Sequence, residues 1–476
     1  MKRELLHPCR VLSMSNKFLN FEAGLLALGL LMFAPGTQAA SPSSSTNLFP
    51  TEPLSLADAI NLALQQNPSI LRGQKDLEAT QGIVIQTRAV ALPKVNVAGK
   101  YSAVEPGAVD KATVSLGGTG FTFGTDQSWS SQIRLTQSLY EGGRIVSSLR
   151  AAKLKGELSL LDYQTTVANA VLAAQVAYFA VLLAEQQIIV HEASVELLGK
   201  ELADTTRRFD AGTVPRFNVL RAEVELANER PKLIRARNSF RISKNVLANL
   251  LGLKIPAETL EDIPLRLSGR LEKEPLTLDL TRAIGLALVQ RSELGSLRKA
   301  QALRKEDITS AKAGFLPSVQ AVGGYEAGSS LFNSDLTHEL HGWLAGVQLS
   351  WDIFDGQLTK GKVKEAGALY ERAGIELDGT GRRIELEVRT AYSTFIEANE
   401  VLESEKKVVE QAEEAHRLAS SRADAGAGTQ LDVLSAQTAL TDARTTQIQA
   451  LHDYAVARAR LQRAVGTKWN EERGNR

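Results

Sequence analysis

Thr429 and Asp432 stand three residues apart at the head of the helix-forming run TQLDVLSAQTAL. That is the spacing of a capping box, with Asp in place of Glu or Gln. Its chemistry is to bind the backbone N–H groups that a helix start leaves unpaired. The stretch GGTGFTFG (Gly117–Gly124) has the composition of a phosphate loop. It lacks the Lys-Ser/Thr ending and the strand-then-helix setting, so it reads as a loop. His338 and His341 lie three apart without a set of further ligands, and no metal site is expected. Ser, His and Asp are present, but no nucleophile motif gathers them. The single cysteine, Cys9, excludes an internal disulfide and a thiolate metal site. The expectation is a protein that is not an enzyme and holds no cofactor.

Charge is balanced across the 476 residues, with 55 Lys and Arg against 54 Asp and Glu. No global field points to nucleic acid or to an acidic substrate. Near the N-terminus, Lys2, Arg3, Arg10 and Lys17 precede the apolar run AGLLALGLLMFA (Ala23–Ala34) and the small-residue segment TQAAS. This is the pattern of a secretory signal cleaved near Ala39 or Ala40, with Met14 as an alternative start. Cys9 precedes the apolar run and so cannot be a lipidation site at the cleavage point. No later segment holds ~18 uninterrupted apolar residues, so a membrane role would fall to β-strands.

An internal duplication organises the rest. LSLADAINLAL (Leu54–Leu64) returns as LDLTRAIGLAL (Leu278–Leu288), Leu56 matching Leu280 at a shift of 224. The frame holds from ALPKVNVAGKY to FLPSVQAVGGY, where Leu92, Pro93, Val95, Gly99 and Tyr101 match Leu316, Pro317, Val319, Gly323 and Tyr325. Beyond the next loop the shift becomes 214. Arg208, Gly212 and Leu220 face Arg422, Gly426 and Leu434, and Gly252 faces Gly466.

Each unit reads helix, strand, strand, long helix, turn, helix. Helical periodicity predicts a first helix over about Ser55–Ala91, ended by Pro93. The period then switches to two. Val95, Val97 and Tyr101 alternate with polar neighbours, as do Ile133 and Leu135. Trp343, Val347, Leu349, Trp351 and Ile353 share one face. A Gly-rich loop separates each strand pair. A helix from Arg144 to about Phe209 follows, roughly 100 Å long. Its partner runs over about Pro215–Leu251. The matching helices span about Leu358–Ala423 and Thr429–Val465. Two glycines in Asp378–Arg383 predict a weak point in the second long helix.

The expected organisation is thus a signal (1–40), a polar segment (41–53) and a first repeat (54–252) with strands near 94–103 and 129–140. A connector (253–275) leads to a second repeat (276–466) with strands near 317–327 and 342–354, then a tail (467–476). Strands of about ten residues suit a tilted membrane span. Trp343 and Trp351, ~26 Å apart along one strand face, suit interfacial aromatic girdles, and Trp129 has the same parity as Ile133. Four strands cannot close a barrel, and lipid tolerates no open edge, so several chains would have to share one. A soluble periplasmic coiled-coil scaffold is the competing reading.

The duplicated unit resembles the TolC family of outer-membrane efflux proteins, with LADAINLALQQNP, LYEGGR, WDIFDGQ, RRFDAGTVPRFNVL and ADAGAGTQLDVLSAQTAL as the carrying motifs. The resemblance covers about Leu54–Gly466. It implies a mainly α fold with a membrane β-barrel: a homotrimer whose twelve strands form one barrel in outer-membrane lipid, joined to a long α-helical periplasmic tunnel. It implies a passive exit duct for small molecules, served by a periplasmic adaptor and an inner-membrane pump of RND, ABC or MFS type. A duct for type I protein secretion shares the fold. The resemblance places a ring of carboxylates at the periplasmic tip, where Asp432 matches one such position. Ser435 stands where a second aspartate can occur. Asn218, the repeat mate of Asp432, is neutral. Ala423 and Gly428 lack the Tyr and Arg of the charged latch of some members. By position, Arg208, Gly212, Leu220, Arg422, Gly426 and Leu434 are candidates for adaptor contact, the leucines being equally candidates for packing.

Overall fold

The computed structural model describes residues 52–108, 112–116, 119–123, 125–255, 262–329, 336–337 and 339–466. The segment expected to be a secretory signal, Cys9, His338, the glycines at 117, 118 and 124, and the tail from 467 lie outside the described residues.

The first helix of each repeat is two helices rather than one. Ser55 and Asp58 form a capping box for α1 (Leu56–Gln66). The helix stops at Asn67, whose side chain accepts from the N–H groups of Ser69 and Ile70 and so starts α2 (Pro68–Arg88). Pro68 sits at the first helical position, where its missing N–H costs nothing. Strand β1 (Lys94–Ala103) follows. The segment read as a loop contains a small hairpin, β2 (Ala112–Leu116) with β3 (Thr119–Phe123). Then come β4 (Gln127–Glu141), α3 (Arg144–Asp210) and α4 (Arg216–Leu250). The second repeat gives α5 (Leu280–Gln290), α6 (Ser292–Lys312), β5 (Ser318–Ser329), β6 (Glu339–Ser350), α7 (Leu358–Asp424) and α8 (Gln430–Val465).

The long helices α3 and α7 have 67 residues each. Gly379 and Gly381 do not interrupt α7. Toward the strands, α3 packs on α2 and α6, and α6 on α7. Toward the tips, α3 packs on α4 and α8, and α8 on α7. In both halves α7 is an edge helix, opposite α2 above and α4 below. Helix α3 contains a window long and apolar enough to cross a membrane. Its Ala170, Ala174, Tyr178, Val181 and Leu182 are instead buried, several of them packed with α1, α4 and residues of the connector. Small side chains there let the helices approach closely.

The connector is pinned to this waist. Leu54 and Leu267 form a parallel bridge, and the buried Tyr178 hydroxyl donates to the Leu54 carbonyl at 3.0 Å while accepting from Gly269 N–H at 3.1 Å. Buried Lys244 reaches the Asp262 carboxylate at 2.6 Å and the Ile263 carbonyl at 3.0 Å. A matched core holds α5 to α7 and α8 around Ile384, Val388 and Leu461.

Candidate duct wall and hairpin tips

The strands form one antiparallel four-stranded sheet in the order β1-β4-β5-β6. Its register aligns Val97 with Ile133, Ile133 with Tyr325, and Tyr325 with Trp343. One face therefore carries Val95, Val97 and Tyr101, then Ile133 and Leu135, then Val319 and Tyr325, then Trp343, Val347 and Leu349. The other carries Lys94, Asn96 and Lys100, then Gln132 and Arg134, then Gln320 and Glu326, then Gln348. Most of the apolar set lies bare, Trp343 at 85 % exposure. A continuous apolar surface over four strands has no place in water. It fits the alternation of a lipid-facing sheet with a polar interior. Among the described residues the edges β1 and β6 have no partner strand within the chain.

Of the three tryptophans expected to form girdles, Trp129 pairs with Tyr101 in the register and donates its indole N–H to the Leu336 carbonyl at 3.1 Å. Trp343 lies in mid-strand against Tyr325, ring centres 5.0 Å apart. The strand ends at Ser350, short of the expected 354, so Trp351 lies just past it and donates to the Phe315 carbonyl at 3.1 Å. Pairing ends there because β5 begins at Ser318, opposite Ser350.

At the far ends of the long helices the two turns are built alike. Gly212 and Gly426 hold left-handed backbone, φ 76° and 73°. Thr213 N–H bonds to the Arg208 carbonyl at 2.9 Å, and Ala427 N–H to that of Arg422 at 2.8 Å. These bonds pair carbonyls that the helix end would leave unpaired. Helix α8 then starts on a complete capping box. Asp432 N–H donates to the Thr429 hydroxyl at 3.2 Å, and Thr429 N–H returns to the Asp432 carboxylate at 3.0 Å. These Thr429 donors, with the nearby Arg422 charge, hold the Asp432 carboxyl below the usual carboxylate range. It is an exposed, ionised group at the tip.

Ser435 is exposed one turn along from Asp432, and Asn218 is half-buried at the start of α4. Arg208 pairs with Asp204 at 2.7 Å and reaches Asp424 of the other turn at 3.5 Å. Gly212, Arg422 and Gly426 are exposed. The two leucines part company. Leu220 is 48 % exposed, while Leu434 is 3 % exposed and packs with Leu198 and Leu226. Leu434 is thus a packing residue within the chain and leaves the docking set, because α8 turns that face onto α3 where α4 has no equivalent neighbour.

Sequence reading missed a polar seam between α3 and α8. The Gln430 amide donates to the Thr205 hydroxyl and, at 3.2 Å, to Glu201. Thr441 donates to Ser194 at 3.2 Å and accepts from Gln437 at 3.3 Å. The signal was present: Ser194, Glu201 and Thr205 are spaced seven and four, as are Gln430, Gln437 and Thr441. Among the described residues no cluster of His, Cys, Asp and Glu could hold a metal.

The profile of a family described as Outer membrane efflux protein matches residues 59–253 and 283–467, one segment for each repeat. The chain is 26 % identical over 416 residues to outer membrane protein TolC of Vibrio cholerae, covering 87 % of this chain and 90 % of that one. It is 25 % identical over 415 residues to the alkaline protease secretion protein AprF of Pseudomonas aeruginosa, covering 87 % and 84 %. Among solved structures, the open-state MtrE channel of Neisseria gonorrhoeae superposes with a TM-score of 0.69 at 21 % identity, covering 86 % of this chain and 88 % of that one. Two bare sheet edges, a lipid-type face, paired 67-residue helices and a duplicated profile match converge on one statement: this chain belongs to the outer membrane efflux protein family, whose place is the outer membrane.

Proposed function

We infer that three copies of the chain close a twelve-stranded barrel and together form a passive duct from periplasm to exterior. The observation that carries this is the four-stranded sheet with a lipid-type face and two open edges. Strands β1 and β6 run in opposite senses, so β6 of one copy can continue antiparallel onto β1 of the next. In hydrocarbon each unpaired backbone group costs several kcal/mol, and only closure removes the edges. The helices support the same count of neighbours. Edge helix α4 leaves Phe217, Val224, Ile234, Ile242 and Val246 exposed at helical spacing, and edge helix α7 leaves Ile375 and Leu386 exposed. Each would be covered by the facing edge of an adjacent copy.

The duct has no catalytic role. Its energy and cargo come from an inner-membrane pump through a periplasmic adaptor, and the adaptor docks at the exposed tip around Arg208, Gly212, Leu220, Arg422 and Gly426. Three Asp432 carboxylates ring the narrow end and favour cations. The capping bonds leave that carboxylate charged, so capping and gating are compatible in one residue. The test is native mass spectrometry of protein drawn from the outer-membrane fraction. A trimer supports the shared barrel; a soluble monomer or dimer breaks it. For the tip, Asp432→Ala should lower cation preference in planar bilayers, and an unchanged reversal potential would sink the assignment.

Export of small molecules is the primary reading. Protein secretion is the second, favoured by the similarity to AprF and to the proteases secretion protein PrtF of Dickeya chrysanthemi, 21 % identical over 286 residues.

A further inference from the structure

The polar face of the sheet is not evenly charged. The register stacks its inward positions in layers two residues apart, ~7 Å per layer. Lys94 lies level with Thr136 and Val322, and Arg134 with Asn96 and Gly324. Glu326 lies level with Gln132 and Ala98, and Lys100 with Ser130 and Gly328. Arg134 and Glu326 neutralise one another across a 3.0 Å ion pair. Glu141, at the base of β4, is taken by Arg144 at 2.7 Å. Lys94 and Lys100 have no ion pair among the described residues, and both are exposed. Glu141 lies near enough to Lys94 to share its charge with Arg144, whereas no carboxylate of the four strands pairs with Lys100.

The positive charges all come from the first repeat's strands. The second repeat faces them with an almost bare wall. A Cβ on Gly324 would stand 2.7 Å from the Ile133 carbonyl, and one on Gly328 would stand 2.9 Å from that of Trp129, so β5 must be glycine where it runs close to β4. Gly342 and Gly346 on β6 have open space where a side chain would be. Leu340, Leu344 and Gln348 alternate with them. Each copy's share of the wall is therefore cleared over β5 and β6 and bears amines on β1.

Building on the duct reading above, we propose that the barrel bore is an anion-preferring exit, with Lys100 and Lys94 as its selectivity residues. Three copies set two lysine rings about six residues, ~20 Å, apart along the wall. A water-filled pore walled by low-dielectric material concentrates counter-ions at such rings. Anionic solutes bearing carboxylate, phosphate or sulfate groups are drawn through, and cationic ones meet a barrier after passing the tip. The tip and the barrel thus act on charge with opposite sign: Asp432 at the entrance, lysine at the exit.

The experiment is reversal-potential measurement in planar bilayers under a KCl gradient with the full chain reconstituted. Asp432→Asn serves as background, so that the tip does not dominate. Lys100→Gln and Lys94→Gln should each lower the chloride-to-potassium permeability ratio roughly twofold, the double variant more, with larger effects at low salt. Glu326→Gln should move the ratio the other way by freeing Arg134. A conducting, trimeric double-lysine variant with the background's ratio overturns the assignment and leaves the duct intact. Absence of conductance in every variant and in the unmodified chain overturns the duct reading, and this one with it.

Discussion

Asn67 and Arg291 occupy one slot in the two repeats. Both stand at the break between the paired short helices, and both bond the last turn of their repeat's final helix. The Asn67 amide donates to the Leu250 carbonyl at 2.7 Å, and the Arg291 guanidinium to that of Ala464 at 3.1 Å. The backbone task is identical, but its chemistry differs. Asn67 closes its account locally, its oxygen capping α2. Arg291, 6 % exposed, brings a charge into the waist and needs two carboxylates, Glu293 at 3.0 Å and Glu387 at 3.0 Å. Glu293 in turn holds Arg463 at 2.6 Å. A neutral amide leaves the first repeat free of titration at this point, while the guanidinium ties four charged side chains of the second repeat together.

That contrast can be broken by substitution. Arg291→Met leaves Glu387 without its buried partner and the Ala464 carbonyl unbonded, and should cost about 3–5 kcal/mol. Asn67→Ala removes a cap and one carbonyl bond, and should cost about 1–2 kcal/mol. Denaturant unfolding of the detergent-solubilised protein compares them; equal costs would mean the charge network adds nothing. The glycines that close the same junctions come next. At Gly252, φ 74°, an added Cβ would stand 2.3 Å from the Gln66 carbonyl oxygen, whereas at Gly466, φ 84°, the nearest atom would be 3.3 Å away. Gly466→Ala should cost about 1 kcal/mol for its backbone alone, and Gly252→Ala clearly more, since backbone must move. Similar melting shifts for the two would contradict the contact.

Acid sharpens the difference between the repeats. Burial pushes the Glu293 carboxyl up, but the hydrogen bond and charge of Arg463 and the charge of Arg291 outweigh it and hold the group below its ordinary value. A carboxyl depressed by folding adds stability above its unfolded value, ~4.3, and that share is lost as pH falls through the folded one. The gap in stability between wild type and Arg291→Met should therefore narrow below about pH 4, while the gap for Asn67→Ala stays flat. The smallest effect belongs to the strand-to-helix joints. Gly143 has φ 89° and its counterpart Gln357 has φ 72°, the single non-glycine residue with positive φ among those described. Gln357→Gly should change stability by no more than about 1 kcal/mol. A larger gain would reveal strain beyond the backbone.

How much of this could be read from the chain depends on where each constraint resides. The duplicated helix–strand–strand–helix unit was legible because its signals are periodic and local: the switch from period 3.6 to period 2, and the paired Asp-Ala-Gly turns at Asp210–Gly212 and Asp424–Gly426. The break at Asn67 had a local signal too, an N-cap residue followed by proline, but the apolar stripe running through it outvoted it. The break at Arg291 had none, since Ser292 follows and the turn is imposed by the contact with Ala464. The hairpin β2–β3 hid in a glycine-rich segment that composition assigns to loop. Whether Leu220 or Leu434 faced outward could not be read, because the repeats are equivalent in sequence there and differ only in which neighbour each helix meets.

Equal length in α3 and α7 sets a rule for how such a chain can change size. Both turns hang at one depth only while the two descending helices count the same residues, and the ascending helices must match them. Removing a few residues from one helix would lift one turn out of the ring and rotate its side chains about the axis. Removing a heptad from all four would shorten the whole by ~10 Å and turn each face by only ~20°. Reach across the periplasm is therefore a quantity this architecture can alter in matched heptad steps, like a column re-cut at every drum.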